Sequence, residues 1–512
     1  MKKIYQTTFL LLLAGIFASN QAQIITTFAG TGTAGFSGNG GVATAAKLNN
    51  PTGIAFDRYG NTYISDYSNH QIRKVDASGI ITTVAGTGVG GFSGDAGLAT
   101  NAKLNLPSTL TFDNLGNMYI VDAGNGAIRK VTTAGIISTV VGTGVNGYSG
   151  DGGAATSAKL NFPCGIYIDS NGDIYIADRN NHRIRKVNTS GIISTYAGTG
   201  TSGFSGDGAA AISAKLDMPN GITFDLSGTA YIADAYNNRI RIVNTSGIIS
   251  TVAGTGTAGS TGDGGAALNA QLNKPFGVTF DAAGNYYVAD FSNQKVRKIS
   301  VNGFITTFAG TGVGGYSGDG GMATNAKLLY FEKVSIDSIG NMYIPDSGNN
   351  RVRKISCTQP TVTAITSNSA ICAGDAASLT STGASSYTWS SGNSGANISV
   401  SPTVTTTYTV TGTNTLTGCR NSATVTQVVN PCTGVKEFGS KNEFSIYPNP
   451  LRHKVTLITN GSKQLVQIFN YLGALVYSVT IENEKTEIDF TNQACGVYFI
   501  RVGNTSRKLI KE

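Results

Sequence analysis

The chain of 512 residues is long enough for two to four domains, which excludes a single small domain. It contains 67 glycines and only 13% charged residues, and it is rich in Thr, Val, Ile and Tyr, which favours short strands and tight turns over long helices. The net charge of +8 is spread without a basic run, which excludes a dense phosphate-binding stripe. We therefore expect an all-β protein without a nucleic-acid partner.

The N-terminus has the pattern of a secretory signal peptide. Lys2 and Lys3 precede an apolar stretch at residues 8–18, and small and polar residues follow up to Ala22. This stretch has about half of the ~20 residues that a membrane-spanning helix needs, and no other stretch comes close. We predict a signal peptide at residues 1–22, export through the periplasm to the outside or the outer cell surface, and no transmembrane helix.

A repeat of 56 residues defines the next segment. The motif Tyr63-Ile64-Ser65-Asp66 recurs without insertion or deletion at Tyr119, Tyr175, Tyr231, Tyr287 and Tyr343. The first repeat predicts four antiparallel strands, at residues 54–57, 62–65, 71–75 and 80–85, with turn residues between them. Four short strands per repeat are typical of a propeller blade, so six repeats predict a six-bladed β-propeller.

The two ends of the repeat region complement each other. Residues 24–29 have the pattern of a fourth strand without a blade of their own, whereas the sixth repeat stops after its third strand at residues 355–356. We predict that residues 24–29 complete the sixth blade and close the ring, which also covers exposed strand edges.

The start of the third strand carries a family signature. Asn69-His70-Gln71-Ile72-Arg73 and Asn181-His182-Arg183-Ile184-Arg185 resemble the Asn-His-x motif of NHL repeats, and the other four copies keep only the Asn. The resemblance covers residues 24–356 and implies a domain at residues 23–356 with a propeller fold. Propellers of this kind include binding modules, sensor domains and a few enzymes.

A small β-rich spacer is predicted at residues 357–434, where the composition changes to Thr, Ser and Val around Trp389. It is similar to the immunoglobulin-like or PKD-like modules of secreted bacterial proteins. Four cysteines bracket it and can pair in three ways in an oxidising compartment: Cys357, Cys372, Cys419 and Cys432. We expect Cys372 to pair with Cys419 and Cys357 with Cys432, which leaves Cys164 and Cys495 as free thiols.

The last segment, residues 435–512, carries an ordered set of motifs. It contains Phe444-Ser445-Ile446-Tyr447-Pro448-Asn449-Pro450, then Val466 to Gly473, and then Gly496-Val497-Tyr498-Phe499-Ile500-Arg501. This order and spacing resemble the type A C-terminal sorting domain of the type IX secretion system. The resemblance implies that the type IX secretion machinery is a partner and that the cargo is released or attached to the cell surface.

The repeat also separates framework positions from candidate binding positions. Aspartates that never vary at the end of the second strand, such as Asp66, are expected to accept hydrogen bonds from the neighbouring loop. Asp95 and its equivalents in the Ser/Thr-Gly-Asp turns leave calcium as an alternative, although one carboxylate among glycines offers too few oxygens. Aromatic residues such as Phe36 are expected to anchor their loops beneath the short turn at residues 43–48, with sugar stacking as the alternative.

Two rings of positions vary within this constant frame, on the face that carries the long loops. The first ring, at the start of the innermost strand, is Thr52, Ser108, Cys164, Asn220, Phe276 and Glu332. The second, after the invariant aspartate, is Tyr67, Ala123, Arg179, Ala235, Phe291 and Ser347. We predict a ligand surface at the channel mouth, formed by Tyr67, Arg179, Tyr236, Phe291, Glu332 and Lys333.

We therefore expect a secreted or cell-surface binding or adhesion scaffold that recognises a glycan, a peptide or a protein. The alternative is a lactonase- or lyase-like propeller enzyme with a metal at the central channel. His70 and His182 are two blades apart and a zinc site needs three or four ligands, so we predict no catalytic residue, metal site or cofactor. Nucleic acid is not expected for an exported protein, despite the Arg-Lys pairs on the third strands.

Overall fold

The computed structural model describes residues 23–356, 359–415, 419–430 and 444–512, and the predicted signal peptide lies outside them. These residues form an all-β protein whose only helices are three-residue 3₁₀ turns. None of the helices in the described part is long and apolar enough to cross a membrane. The chain divides into two compact units, Met1–Asn430 and Pro431–Glu512.

Six four-stranded antiparallel blades form the propeller, as predicted. Its strands are β1 (Ile25–Ala29), β2 (Gly41–Val42), β3 (Pro51–Phe56), β4 (Thr62–Asp66), β5 (Gln71–Val75), β6 (Ile80–Ala85), β7 (Pro107–Phe112), β8 (Met118–Asp122), β9 (Ala127–Val131), β10 (Ile137–Val141), β11 (Gly165–Ile168), β12 (Ile174–Asp178), β13 (Arg183–Val187), β14 (Ile193–Ala197), β15 (Pro219–Phe224), β16 (Ala230–Asp234), β17 (Arg239–Val243), β18 (Ile249–Ala253), β19 (Pro275–Phe280), β20 (Tyr286–Asp290), β21 (Lys295–Ile299), β22 (Ile305–Ala309), β23 (Ser335–Ile336), β24 (Met342–Asp346) and β25 (Arg351–Ile355). The 3₁₀ turns are Ala43–Ala45, Tyr67–Asn69, Ala99–Asn101, Ala123–Asn125, Ala155–Ser157, Arg179–Asn181, Ala211–Ser213, Ala235–Asn237, Ala267–Asn269, Phe291–Asn293, Ala323–Asn325 and Ser347–Asn349.

The hydrophobic core of the propeller lies between neighbouring blades. Successive side chains of a strand point to opposite faces, so each blade presents apolar residues to the blade on either side. Ile72 of the first blade packs with Leu110 and Ile120 of the second, and the rings of Tyr63 and Phe112 meet edge to face at 4.9 Å. The same packing recurs around the ring, so six equal units stabilise one another.

The N-terminal strand closes the ring, which confirms the prediction. In the sixth sheet the strand order is β1-β25-β24-β23, and Ile25 lies opposite Ile355 while Thr27 lies opposite Arg353. Ile25 is fully buried. The first and last strands of the propeller are therefore held by a complete hydrogen-bonded ladder.

The long glycine-rich loops follow a route that the sequence did not indicate. Each loop begins and ends on the predicted working face, but it runs along the outermost strand of the next blade. β2 pairs with β6 through Gly41 and Val42, and isolated bridges such as Leu98 with Ile136 repeat this contact in other blades. The loops therefore cover the outer strand edges.

The spacer is a two-sheet β module packed around Trp389, which is 2% exposed. Its strands are β26 (Thr363–Thr366), β27 (Ala370–Cys372), β28 (Ala377–Thr382), β29 (Ser386–Trp389), β30 (Asn397–Val400), β31 (Thr406–Thr413) and β32 (Arg420–Asn430). They form sheets of order β26-β28-β30 and β27-β32-β31-β29. Its likeness to immunoglobulin-like or PKD-like modules stays a prediction.

The register of the spacer corrects the expected pairing of Cys372 with Cys419. Cys372 lies opposite Asn430, at the end of β32, whereas Cys419 directly precedes Arg420 at its start. Ten residue steps of about 3.3 Å separate the ends of that strand by roughly 33 Å, and a disulfide requires Cα atoms within about 7 Å. The pairing is wrong, and the predicted partners Cys357 and Cys432 lie outside the described residues.

The C-terminal unit is a second, separate pair of sheets. Its strands are β33 (Ser445–Tyr447), β34 (Lys454–Ile458), β35 (Gln464–Asn470), β36 (Leu475–Ile481), β37 (Lys485–Asp489), β38 (Gly496–Val502) and β39 (Thr505–Lys511). The sheets have the orders β33-β34-β37 and β36-β35-β38-β39 and enclose a core that includes Val466, Ile468 and Ile500.

Candidate functional site

A buried arginine and a buried aspartate form the frame of every blade. In the third blade, Arg185 bonds Asp178 at 3.3 Å, and both side chains are fully buried. Asp178 also accepts the backbone N–H of Asn161 and the side-chain amide of Asn181, each at 2.8 Å. The same arginine recurs, fully buried, at Arg73, Arg129, Arg241, Arg297 and Arg353. The predicted structural role of the invariant aspartates is confirmed, and the arginines share it.

The Ser/Thr-Gly-Asp turns belong to this frame as well. One oxygen of Asp151 accepts a bond from Arg185 at 2.5 Å, and the other accepts the hydroxyl of Thr195 at 2.6 Å. The ring centre of Tyr148 lies 3.8 Å from the guanidinium carbon of Arg183 and 4.9 Å from that of Arg185, so the aromatic residue stacks on two cations. The turns therefore hold the loops on the blades. Within the described residues, no group of three or more His, Cys, Asp or Glu side chains could hold a metal ion.

The signature histidines hold the next blade. Nδ1 of His70 accepts the backbone N–H of Leu106, and Nδ1 of His182 accepts that of Met218, both at 3.1 Å. Gln294 does the same for Tyr330 at 2.8 Å. The residues so held adopt left-handed backbone conformations, with φ between 45° and 55°, which non-glycine residues take only when their surroundings hold them there.

These left-handed residues form a third variable ring that sequence reasoning missed. The ring consists of Asn50, Leu106, Phe162, Met218, Lys274 and Tyr330. A signal was available, because all six residues differ although five of them directly precede a proline of the repeat, and Tyr330 precedes Phe331 instead.

Several members of the first predicted ring join neighbouring blades. The hydroxyl of Thr52 donates to the carbonyl of Ser108 at 2.6 Å, and the hydroxyl of Ser108 donates to that of Cys164 at 3.1 Å. Burial raises the pKa of the Cys164 thiol, which makes it an inert packing residue. These three positions therefore have a structural role.

Arg179 lies among aromatic rings and near a carboxylate at the mouth of the channel. Its guanidinium carbon is 5.8 Å from the ring centre of Phe276 and 6.0 Å from those of Phe162 and Tyr236. Burial raises the pKa of Glu332, against the opposing effects of Arg179 and of a hydrogen bond with Asn220. The structure thus brings the predicted residues Arg179, Tyr236 and Glu332 together.

Tyr67 borders the same group. Burial, together with the negative charge of Glu332, raises the pKa of Tyr67 to about 12. The phenol is therefore neutral and available as a hydrogen-bond donor at physiological pH.

Phe291 is the centre of a stack of three rings. Its ring is 4.3 Å from that of Phe276 and 5.5 Å from that of Tyr330, with planes tilted by 24° and 25°. Phe276 is buried, whereas Tyr330 is 51% exposed. The stack therefore runs from the cation of Arg179 outward and ends in an open aromatic face.

A cavity of about 270 Å³ lies beside this stack. We call it the mouth pocket, and it is lined by Asn50, Thr52, Phe291, Tyr330, Glu332 and Ser347. It contains two of the six predicted site residues, Phe291 and Glu332, and each of the three variable rings contributes two of its lining residues.

Lys333 lines the narrow channel together with Glu332, but it does not line the mouth pocket. It lines the channel below the mouth, where the free space is about 20 Å³, enough for about one water molecule. The equivalent residues in the other blades are Gly53, Thr109, Gly165, Gly221 and Gly277. Burial lowers the pKa of Lys333 to about 8, and among the described residues it forms no ion pair.

A family model for the Teneurin NHL domain matches residues 30–90, 90–147, 144–205, 200–261 and 255–314, which is more than half of the chain. The chain belongs to the NHL-repeat family. A second family model, the secretion system C-terminal sorting domain, matches residues 445–512 of this NHL propeller protein. The protein is thus exported by type IX secretion to the cell surface or beyond.

Relatives share the propeller over part of their length. Teneurin-1 of Gallus gallus is 32% identical over 233 residues, which are 40% of this NHL protein and 8% of teneurin-1. Protein SUPPRESSOR OF QUENCHING 1, chloroplastic, of Arabidopsis thaliana is 30% identical over 274 residues, which are 50% of this chain and 25% of that protein. The chain thus spans a small part of either relative.

A solved structure supports the fold. A protein of unknown function from Bacteroides thetaiotaomicron VPI-5482 superimposes with a TM-score of 0.50 at 18% identity, covering 65% of this chain and 75% of that one.

Proposed function

We propose that this NHL protein is an exported, non-catalytic binding or adhesion scaffold whose mouth pocket recognises an extracellular glycan, peptide or protein. The observation that carries this proposal is the stack of Phe276, Phe291 and Tyr330 beside Glu332 and Arg179. Aromatic rings and a few convergent polar groups around a concavity are typical of ligand sites. We also propose domain boundaries at residues 23–356 for the propeller, 357–434 for the spacer and 435–512 for the sorting domain.

The symmetry of the propeller supports this location. The buried arginines, their aspartates and the signature residues all have structural partners that repeat around the ring. The stability of the propeller does not require an aromatic stack in one part of the ring. An exposed side chain such as Tyr330 leaves apolar surface in contact with water, which a polar residue at that position would not do. A ligand that covers the ring accounts for this arrangement.

The chemistry of the channel favours binding over a metal-dependent lactonase or lyase. A catalytic metal at the channel would need several anionic or imidazole ligands. This channel contains the Lys333 amine, which repels a cation when it is protonated, and the Cys164 thiol, whose pKa is raised by burial.

The proposal is tested with the intact exported chain on glycan and peptide arrays, followed by affinity measurements on each hit. Phe291→Ala removes a side chain that lines the mouth pocket, and Arg179→Ala removes the cation beside Phe276 and Glu332. Both variants place the residue found at the equivalent Ala123 and Ala235. We expect each variant to weaken binding at least tenfold. Arg183→Ala, which places the residue found at the equivalent Ala127, is the control and should bind as the wild type does. A blank array beside lactonase or lyase turnover would overturn the proposal.

A further inference from the structure

The mouth pocket offers more hydrogen-bond acceptors than donors. The hydroxyl of Thr52 donates to the carbonyl of Ser108, and the hydroxyl of Ser347 donates to the carbonyl of Pro51. Each hydroxyl has one hydrogen to donate and two lone pairs to accept with, so both can only accept from a ligand. The carboxylate form of Glu332 also only accepts, whereas Asn50 and the phenol of Tyr330 can both donate and accept. The pocket therefore suits a ligand rich in donors.

The carboxyl group of Glu332 in the mouth pocket has a nearby cation and a hydrogen-bond partner before a ligand arrives. Arg179 acts on Glu332 as an opposite charge, and Asn220 forms a hydrogen bond with the same carboxylate. A ligand with a net charge would upset this balance in a partly buried site, where charges are costly. The pocket therefore favours a neutral ligand.

The aromatic wall requires a flat apolar face on the ligand. Tyr330 offers half of its surface to solvent at the end of the stack. Its position is fixed, since its backbone N–H is bound by Gln294 and its φ is 55°. A rigid ring pays little conformational entropy on binding.

We infer that the mouth pocket binds a neutral carbohydrate unit, whose apolar ring face lies on Tyr330 and whose hydroxyl groups donate to Glu332, Thr52 and Ser347. A pyranose is a ligand that combines many donors, no charge and a flat C–H face. The inference rests on the proposed binding function and names its ligand class.

The test uses the full chain and named small probes in saturation-transfer NMR and calorimetry. The neutral probes are the methyl glycosides of glucose, galactose and mannose, and the competing chemistries are glucuronate, choline and a tripeptide. Tyr330→Asn removes the ring and keeps the left-handed backbone, because Asn50 occupies the equivalent position with φ 54°. Tyr330→Phe keeps the ring, and Tyr316→Ala removes an exposed ring on Arg351 outside the pocket.

We expect at least one neutral glycoside to bind, with affinity reduced tenfold or more in Tyr330→Asn, several-fold in Glu332→Gln, and unchanged in Tyr330→Phe and Tyr316→Ala. Binding of choline, glucuronate or the tripeptide to the pocket while the neutral glycosides fail would overturn the carbohydrate assignment and leave the binding function standing. A glycoside that binds equally well to Tyr330→Asn would also overturn the assignment. An array ligand that is indifferent to every pocket variant would overturn the proposed function itself.

Discussion

The arginine in the middle of each third strand is a charged residue in the core of the protein. Arg185 is fully buried and reaches two aspartates, Asp178 at 3.3 Å and Asp151 at 2.5 Å. Taking such charges out of water is costly, but removing one partner costs more, because the others remain buried without compensation. Arg185 therefore joins the long loop that contains Asp151 to the blade strand that ends at Asp178.

Replacing Arg185 with alanine should lower the free energy of unfolding by about 3–5 kcal/mol. Arg183→Ala on the same strand should change it by less than about 1 kcal/mol, because that arginine is partly exposed. Urea denaturation of both variants measures the difference. Equal losses would show that the buried pair does not hold the blade.

Lys333 makes stability depend on pH. Its pKa falls from 10.5 when unfolded to about 8 in the native protein, so the native state binds fewer protons between these values. The unfolding free energy of the wild type should therefore fall as the pH drops from 10.5 to 8, and remain low below that.

Lys333→Met removes the buried amine and therefore the decrease in unfolding free energy at lower pH. We expect the stability gained by the substitution to be greater at pH 7 than at pH 10.5 by about 1–3 kcal/mol, since each pKa unit corresponds to about 1.4 kcal/mol and residual solvation reduces the total. Urea denaturation at the two pH values measures it, and Lys47→Met, on an exposed loop, controls for the loss of one positive charge. A gain independent of pH would contradict the burial of the amine.

Among individual residues, the positions that vary between repeats predicted part of the site. Arg179, Tyr236 and Glu332 meet because the starts of the innermost strands and the turns after the invariant aspartates face the same channel mouth in the closed ring. Lys333 lines the narrow channel together with Glu332, but only Glu332 of the two also lines the mouth pocket. Tyr330 was missed because its left-handed backbone depends on a hydrogen bond from another blade.

Among the elements, the N-terminal strand has the greatest effect on the ring. β1 supplies the outermost strand of the sixth blade and buries Ile25 completely. Its role was predictable, because the phase of the repeat leaves one strand over at one end and one missing at the other. The route of the long loops was not predictable, because it depends on bridges between distant segments, such as Gly41 with Ile81.

Deleting residues 24–30 should lower the Tm by roughly 10 °C or more, since it exposes a strand edge and removes buried apolar residues. Deleting residues 435–512 should leave the propeller transition in place, because that unit has its own core. Calorimetry of both truncated chains measures this. A propeller that melts normally without residues 24–30 would refute closure by β1.

The spacer strand β32 determines which cysteines can pair. Asn430 at the end of this strand lies opposite Cys372, whereas Cys419 precedes the start of the strand, and Cys432 follows Asn430 by two residues in the sequence. Of the three possible pairings, we predict Cys372 with Cys432 and Cys357 with Cys419. Peptide mapping without reduction should find these two linked peptides, and a Cys372–Cys419 peptide would contradict the prediction.

The parts of the whole molecule have different roles. The repeat builds a rigid frame, the loops cover its edges, and the sorting domain at residues 445–512 exports it. The fold was legible from the sequence because every repeat has the same length. The ligand was not, because it depends on side chains from several blades that meet only in the closed ring.

Hydrogen–deuterium exchange of the full chain, with and without its array ligand, shows whether the mouth pocket is the binding site. We expect the ligand to slow the exchange of backbone amides at residues 50–52, 291–292 and 330–332. The amides of the loop at residues 86–106 should exchange as before. Protection confined to the outer loops, with no change at the mouth pocket, would contradict it.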